Sequence, residues 1–354
     1  MADGMPFSAV LAFSITILFL LALRPVAVAV HLIDTPGGRK SHIGDVPVIG
    51  GLAMFAGLTF TLPFLWSAEP SVPGFFYLAA LLLVVVGSID DRFDLPAAAR
   101  LIGQACAALI AVYGAGILVA DIGDPLFAGV IELGPFSLVF TVLVIVTVIN
   151  AFNMLDGMDG LAGSVTLMAL VGCLLVGFNT AWQSLILVLC AAIAAFLVFN
   201  FPMKGNRRVR TFMGDAGSTV LGFAVAFVVI GLSQGEGRVM SPVVGLWFAA
   251  LPLFDLFGSM FRRILKGQSP FRADSEHIHH ILQRMGLSTR GCLTVMAGAS
   301  ALGVAIGYGG HVLGVADGLL FALWVAFGAA HFLVMRRAWR ISRFIRRTQA
   351  VSRG

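Results

Sequence analysis

Long apolar stretches recur along the whole chain and are separated by short polar segments. A stretch of about 17–25 apolar residues is long enough to cross a bilayer as a helix. The pattern predicts about eleven such spans, with edges good to a few residues. They are 7–30, 48–66, 74–89, 99–120, 136–150, 160–178, 182–200, 216–233, 242–262, 292–312 and 315–335. The alternation of apolar and polar residues that marks a transmembrane β-barrel is not seen, so the pattern predicts an all-α polytopic membrane protein.

The connecting segments fall into two sets, which eleven spans would place on opposite faces. The cation-poor set is 67–73, 121–135, 179–181, 234–241 and 313–314, and the other is 31–47, 90–98, 151–159, 201–215, 263–291 and the tail from 336. Of the 23 Lys and Arg residues, Arg238 is the only one that falls on the first face. Because cytoplasmic segments carry the excess of Lys and Arg, we expect the second face to be cytoplasmic and the N-terminus periplasmic. The first apolar run follows MADGMPF, which lacks the basic region of a cleaved signal peptide.

The composition leaves little room for a water-facing domain. The chain is 59% hydrophobic and 12% charged, whereas a soluble domain carries about 25% charged residues. We therefore expect one transmembrane domain over 1–335 and a basic cytoplasmic tail over 336–354. The arginines of the tail have two interpretations. Either they hold a basic helix on the anionic inner leaflet, or they are only the excess of positive charge expected on the cytoplasmic side. The four cysteines have neither zinc-site nor disulfide spacing and are interpreted as packing residues.

Five of the predicted cytoplasmic segments carry unusual polar clusters. In chain order they read DTPGGRKSHIGDVPVIGG, IDDRF, NAFNMLDGMDG, FMGDAGS and SPFRADSEHIHH. Their candidate functional residues are Arg39, Lys40 and His42, then Asp90 and Asp91, then Asn150, Asn153, Asp156 and Asp159, then Phe212 and Asp215, and finally Arg272, Asp274, His277, His279 and His280.

Most of these clusters also have an interpretation without a ligand. The acidic pair at 90–91 is compatible with an ion pair at a helix end, and Asp215 is compatible with a helix N-cap. The histidines at 277–280 have low specificity as a metal motif. The polar series at 150–159 is harder to explain in this way. Residues three apart are neighbours on a helix, and two acids held together there need a partner.

The coincidence of acids on one face is the stronger signal. Five carboxylates come from three distant segments on that face, namely Asp90, Asp91, Asp156, Asp159 and Asp215. Hard oxygen ligands without cysteine suit Mg²⁺, or Mn²⁺, rather than zinc. A divalent cation with carboxylates and nearby Arg or His is typical of phosphate chemistry. The sequence has no Walker-type glycine loop, so it does not indicate ATP hydrolysis.

Over about residues 20–345, these motifs resemble the polyprenyl-phosphate N-acetylhexosamine-1-phosphate transferases. The resemblance rests on RKSHIGDVPVIGG, GSIDDRFDL, NAFNMLDGMDGLAG, FMGDAGS and KGQSPFRADSEHIHH, in this order. It implies a bacterial inner-membrane enzyme in which undecaprenyl phosphate attacks the β-phosphorus of UDP-N-acetylglucosamine and UMP is released. Such a reaction is the first membrane step of O-antigen, common-antigen or related envelope glycan synthesis. His-Ile-His-His replaces the three consecutive histidines of the muramyl-pentapeptide branch, which favours an N-acetylhexosamine donor but leaves open which one.

The resemblance also implies roles for individual residues. Asp215 corresponds to the metal-binding aspartate, with Asp156 and Asp159 near the metal and nucleotide. Asp90 and Asp91 face the lipid phosphate. We further expect substrate contacts from Arg39, Lys40, His42, Asn150, Asn153, Asn200, Phe212, Arg272, His277 and His280, with His279 near the pyrophosphate.

Two other classes remain open from the sequence. A transporter also has many spans with acids in them, but its site usually lies near the bilayer midplane between internal repeats. The acids here are at predicted helix ends, and no repeat is evident. A scaffold protein with a basic tail would give no reason for five acids on one face. The sequence also leaves open whether the chain forms a homodimer.

Overall fold

The computed structural model describes residues 4–34, 45–65, 71–177, 182–202, 211–269 and 277–351. Most of these residues are helical. The helices are α1 Gly4–Ala29, α2 Gly50–Leu65, α3 Ser71–Phe93, α4 Ala97–Ala115, α5 Ser137–Leu155, α6 Leu161–Val176, α7 Trp182–Asn200, α8 Gly214–Ser233, α9 Pro242–Phe248, α10 Ala250–Leu265, α11 Ile278–Arg284, α12 Thr289–Val312 and α13 Asp317–Val351. Two short strands, β1 Ile33–Asp34 and β2 Val46–Pro47, pair antiparallel.

Each predicted span coincides with one helix or, in one case, with a bent pair of helices. Within the described ranges, eight helices are long and apolar enough to cross a membrane: α1, α3, α4, α5, α7, α8, α12 and α13. Two more, α2 and α6, are apolar but only 16 residues long. The pair α9 and α10 would form a further span. The chain is therefore a multi-pass helical membrane protein, while eleven crossings and the placement of the termini stay predictions.

The predicted span 242–262 is not one straight helix. α9 ends at Phe248, α10 begins at Ala250, and their axes are bent by 80°. Pro252 explains the break, because proline has no N–H for the carbonyl of Phe248 and its ring clashes with that group. The bend turns α10 away from the direction of α9.

Two other helix ends also differ from the expected boundaries. α13 runs through residue 335 to Val351, so no break separates the transmembrane part from the tail at 336. The tail up to that point contains no glycine or proline to end the helix. α5 continues to Leu155, so Asn150 and Asn153 lie on one helix face while the aspartates at 156 and 159 follow the helix end.

α8 is the central helix of the bundle. Of its apolar span, 78% is buried, and it packs against α2, α3, α5 and α6. The first turns of α2 and α8 touch through their backbones, since a Cβ on Gly51 would lie 2.3 Å from the nitrogen of Gly217. The backbone N–H of Phe212 donates to the carbonyl of Pro47, and the N–H of Gly50 donates to the carbonyl of Phe212, both at 2.9 Å. These contacts place the first and fourth polar clusters side by side.

Candidate active site

The end of α3 is fastened to the start of α8 by Asp91. One oxygen of its carboxylate accepts a hydrogen bond from the backbone N–H of Asp215 at 2.8 Å, and the other accepts from Ala216 at 3.3 Å. The first N–H groups of a helix have no partner within the helix, and a carboxylate is favoured there by the helix dipole. Asp91 therefore caps α8 from a neighbouring helix and brings the two acidic clusters together.

α5 reaches the same point through Asn153. The amide Nδ2 of Asn153 donates to the carboxylate of Asp215 at 2.6 Å and to Ser218 Oγ at 2.9 Å. One turn earlier on the same face, Asn150 donates to the side-chain oxygen of Gln104 at 2.7 Å. The structure thus joins α3, α5 and α8 at Asp215.

Asp90 also lies beside the carboxyl group of Asp215, but it is held by a second set of partners. Its side chain is 3% exposed and is held by the N–H of Leu95 at 2.7 Å and by the guanidinium of Arg100 at 3.2 Å. Arg100 lies near the start of α4 and is 39% exposed. The two members of the acidic pair therefore differ, because Asp90 is ion-paired to α4 whereas Asp91 caps α8.

The turn after α5 adds further negative charge. Burial, together with repulsion from Asp215, Asp91 and Asp159, raises the pKa of Asp156 well above its usual range. A cation placed among these carboxylates would offset that repulsion. The turn is therefore a place where the fold holds several carboxyl groups close to one another.

The histidine segment packs onto this turn. His279 is 1% exposed, and a Cβ on Gly157 would lie 2.6 Å from its Nε2 atom. Neither ring nitrogen of His279 finds a hydrogen-bond partner among the residues that the structure describes. Burial, with the neighbouring His280, lowers the pKa of His279 to about 3, so the ring is neutral at physiological pH. A buried imidazole without partners, placed against an acidic turn, indicates a polar ligand there.

Asn200 links two site segments. Its Oδ1 accepts a hydrogen bond from the N–H of Gly160 at 2.7 Å, and its Nδ2 donates to the carbonyl of Thr211 at 2.8 Å. Asn200 is 6% exposed, so its amide is largely used within the protein. Phe212, the residue expected to stack on uracil, follows Thr211 and is only half-buried.

A cavity of about 420 Å³ opens over α5 between α4 and α10. Its polar lining includes Asp90, Arg100, Gln104, Asn150, Asn153, Asp215, Arg263 and His277. Its apolar lining includes Leu83, Val86, Leu101, Val146, Leu256, Phe257 and Met260. The lining of the cavity therefore combines charged and polar groups with apolar side chains.

The residues present suit a divalent cation, although they do not form a complete cage. No three His, Cys, Asp or Glu side chains converge closely enough to hold a metal within the described parts of the chain. Mg²⁺ does not require this, because it usually binds one or two carboxylates together with substrate phosphates and water. The concentrated charge around Asp156 and Asp215 fits such a site.

The structure therefore brings together predicted residues from four clusters: Asp90, Asp91, Asn150, Asn153, Asp156, Phe212, Asp215, His277 and His279. Arg39, Lys40, His42, Arg272 and Asp274 lie outside the described residues. Sequence reasoning missed Arg100, Gln104, Asp255 and Arg263. None of these four residues lies within the motifs GSIDDRFDL and KGQSPFRADSEHIHH. Helix packing alone brings the four residues to the site.

Comparison with known proteins gives matches over almost the whole chain. Residues 74–233 match the glycosyl transferase family 4. Three similar curated proteins carry the name undecaprenyl-phosphate alpha-N-acetylglucosaminyl 1-phosphate transferase. That of Yersinia pestis is 36% identical over 341 residues, or 95% of this chain and 92% of its own. That of Pasteurella multocida is 36% identical over 345 residues, or 96% of each chain. That of Escherichia coli K12 is 34% identical over 346 residues, or 95% of this chain and 92% of its own.

Proposed function

Because the chain belongs to the family of undecaprenyl-phosphate alpha-N-acetylglucosaminyl 1-phosphate transferases, within glycosyl transferase family 4, we propose that it catalyses this transfer. The donor is UDP-N-acetylglucosamine, the acceptor is undecaprenyl phosphate, and the products are the lipid pyrophosphoryl sugar and UMP. The observation that carries the proposal is the similarity along the chain to enzymes of this name. The site geometry supports it independently.

The cavity over α5 suits the acceptor. Undecaprenyl phosphate has a charged head and a long apolar tail, and the cavity lining offers both charged groups and apolar side chains. Arg100, Arg263 and His277 supply cationic or hydrogen-bonding groups for the phosphate. Leu256 and Phe257 on α10 belong to the apolar lining, against which the first isoprene units would pack.

The donor pyrophosphate would lie between Asp215 and the turn at 156–159, with His279 beside it. The substrates together carry about four negative charges, which repel each other unless they are neutralised. Mg²⁺, held by Asp215 with Asp156 and Asp159, would supply that neutralisation for the pyrophosphate when bound. His279 is neutral, so it contributes a hydrogen bond rather than a charge.

Direct attack by the acceptor phosphate is the simplest mechanism. The second pKa of a phosphate monoester is near 6, so the acceptor is largely dianionic and needs little help from a base. Asp91 already accepts two backbone hydrogen bonds, and Asp90 is paired with Arg100. Both carboxylates therefore serve to position the site rather than to act as nucleophiles. Catalysis then rests on orientation and charge neutralisation.

We also propose the full topology. The chain crosses the inner membrane eleven times, with α2, α6 and the bent pair α9–α10 as spans alongside the eight longer helices. The N-terminus is periplasmic and the site faces the cytoplasm, which the cation distribution supports. Cysteines introduced at 203–210 should react with an impermeant thiol reagent only after cells are permeabilised. Reaction from the periplasm would contradict this arrangement.

A donor panel tests the substrate. Purified protein, Mg²⁺ and undecaprenyl phosphate are given UDP-N-acetylglucosamine, UDP-N-acetylgalactosamine or UDP-N-acetylmuramyl-pentapeptide, and UMP release is measured. We expect the highest kcat/KM with UDP-N-acetylglucosamine and strong rejection of the muramyl donor. Comparable turnover with the muramyl donor would contradict the proposed donor. One equivalent of UMP per enzyme without acceptor would instead indicate a covalent intermediate.

A further inference from the structure

Asp255 is a buried carboxylate on α10 that the proposed reaction does not use. It is 4% exposed and lies beyond the bend between α9 and α10. Its Oδ2 accepts a hydrogen bond from Nδ1 of His277 at 3.1 Å, and its Oδ1 accepts from the backbone N–H of Ile278 at 3.0 Å. Both oxygens therefore hold the start of the histidine segment.

These two contacts of Asp255 determine the orientation of the His277 ring. An imidazole that carries a proton on each ring nitrogen donates from Nδ1 to the carboxylate of Asp255 and presents an Nε2–H donor on its far side. His277 lines the cavity, whereas Asp255 is not among the lining residues. The His277 ring also lies nearly parallel to that of His279, with centroids 6.1 Å apart and an angle of 13° between the planes. The orientation of the His277 ring is thus fixed by a residue behind it.

We propose that Asp255 is a positioning residue for the lipid acceptor. It orients His277 so that the protonated Nε2 atom donates a hydrogen bond to the phosphate of undecaprenyl phosphate in the cavity. This inference rests on the acceptor site given under Proposed function. A carboxylate that fixes the ring orientation of a metal-binding histidine is typically worth a factor of about 10 to 100, and we expect the same range for a histidine that binds a phosphate. The effect should fall on acceptor binding, because the cavity lining includes His277 while Asp255 stays behind it.

The test is steady-state kinetics on the full-length protein in lipid nanodiscs, with each substrate varied in turn. Asp255→Asn keeps the shape of the side chain but loses the carboxylate. We expect it to raise KM for undecaprenyl phosphate by about 10- to 100-fold and to change KM for UDP-N-acetylglucosamine by less than about twofold. Ser259→Ala is the matched control. Ser259 is a buried polar residue of the same helix, and within the described parts of the chain its hydroxyl donates to the carbonyl of Leu256 in that helix, so neither KM should change.

A double substitution separates positioning from a structural role. His277→Gln alone should raise the acceptor KM by a similar factor, and adding Asp255→Asn should then have no further effect. Loss of thermal stability with both KM values raised equally would make Asp255 merely structural. An effect of His277→Gln without one of Asp255→Asn would overturn the positioning role and leave the acceptor site standing.

No effect of either substitution on the acceptor KM would contradict the acceptor site itself. If Asp255→Asn does not fold, Asp255→Glu retains the charge at a shifted position. It should give a folded protein with the same selective rise in acceptor KM, and an unchanged acceptor KM there would overturn the proposal.

Discussion

Gly157 has no room for a side chain, because the ring of His279 lies against its backbone. A Cβ at this position would stand 2.6 Å from Nε2 and 2.9 Å from Cε1 of His279. Atoms of this size are at their optimal separation at about 3.5 Å, so Gly157→Ala must move the ring by about 1 Å. A misplacement of about 1 Å can cost a factor of about 100 in rate. We therefore expect kcat to fall by about 100-fold, or about 3 kcal/mol of transition-state stabilisation.

The assay is UMP release at saturating substrates, with thermal melting in detergent to confirm folding. Gly291→Ala is the matched control, since its Cβ would first meet another atom at 3.5 Å, which is ordinary contact. In a His279→Ala background, Gly157→Ala should cause no further loss, because the ring that it displaces is gone. A Gly157→Ala enzyme that retains half of the wild-type kcat would refute both the contact and the importance of the position of His279.

Three further predictions concern the metal, a structural link and pH. Asp215→Asn should abolish turnover and leave the melting temperature unchanged, and a chelator should do the same to the wild type. Substantial turnover of the Asp215→Asn variant at saturating Mg²⁺ would exclude Asp215 as a ligand of the metal. Asn200→Ala should lower the free energy of unfolding by about 2–4 kcal/mol, because it leaves two buried backbone groups unpaired. A loss below about 1 kcal/mol in thermal or denaturant unfolding would contradict that role. The pKa of His279 is lowered to about 3, so below pH 6.5 the unfolded state binds more protons than the folded state. Stability should therefore fall by about 2 kcal/mol from pH 6.5 to pH 5, and His279→Gln should flatten this dependence. The same fall in the variant would contradict the role of His279.

The sequence predicted the helices and the clusters well, because each rests on local chemistry. A run of apolar residues long enough to cross a bilayer has few alternatives to a helix. The acids at 90–91 and at 215 were expected on one face from the count of spans alone. Their meeting through the cap of Asp91 on α8 confirms that they are neighbours.

Contacts between distant helices were beyond sequence reasoning. Arg100 reaches Asp90 only because α4 turns back beside α3, and Gln104 meets Asn150 across 46 positions of the chain. Asp255 sits within an apolar run that carries no motif. The bend before it had a local signal in Pro252, but proline within a membrane helix is often tolerated. Helix packing, not composition, decided which polar residues share the cavity.

The fate of the β-phosphorus of the donor tests the central claim most directly. The purified protein is incubated with Mg²⁺, undecaprenyl phosphate and UDP-N-acetylglucosamine radiolabelled at that phosphorus, and the lipid and nucleotide fractions are separated. A sugar-1-phosphate transferase moves the phosphorus with the sugar, so we expect the label in the lipid fraction and one unlabelled UMP for each labelled lipid. Label that stays in the nucleotide fraction as UDP, with unlabelled sugar on the lipid, would contradict the account.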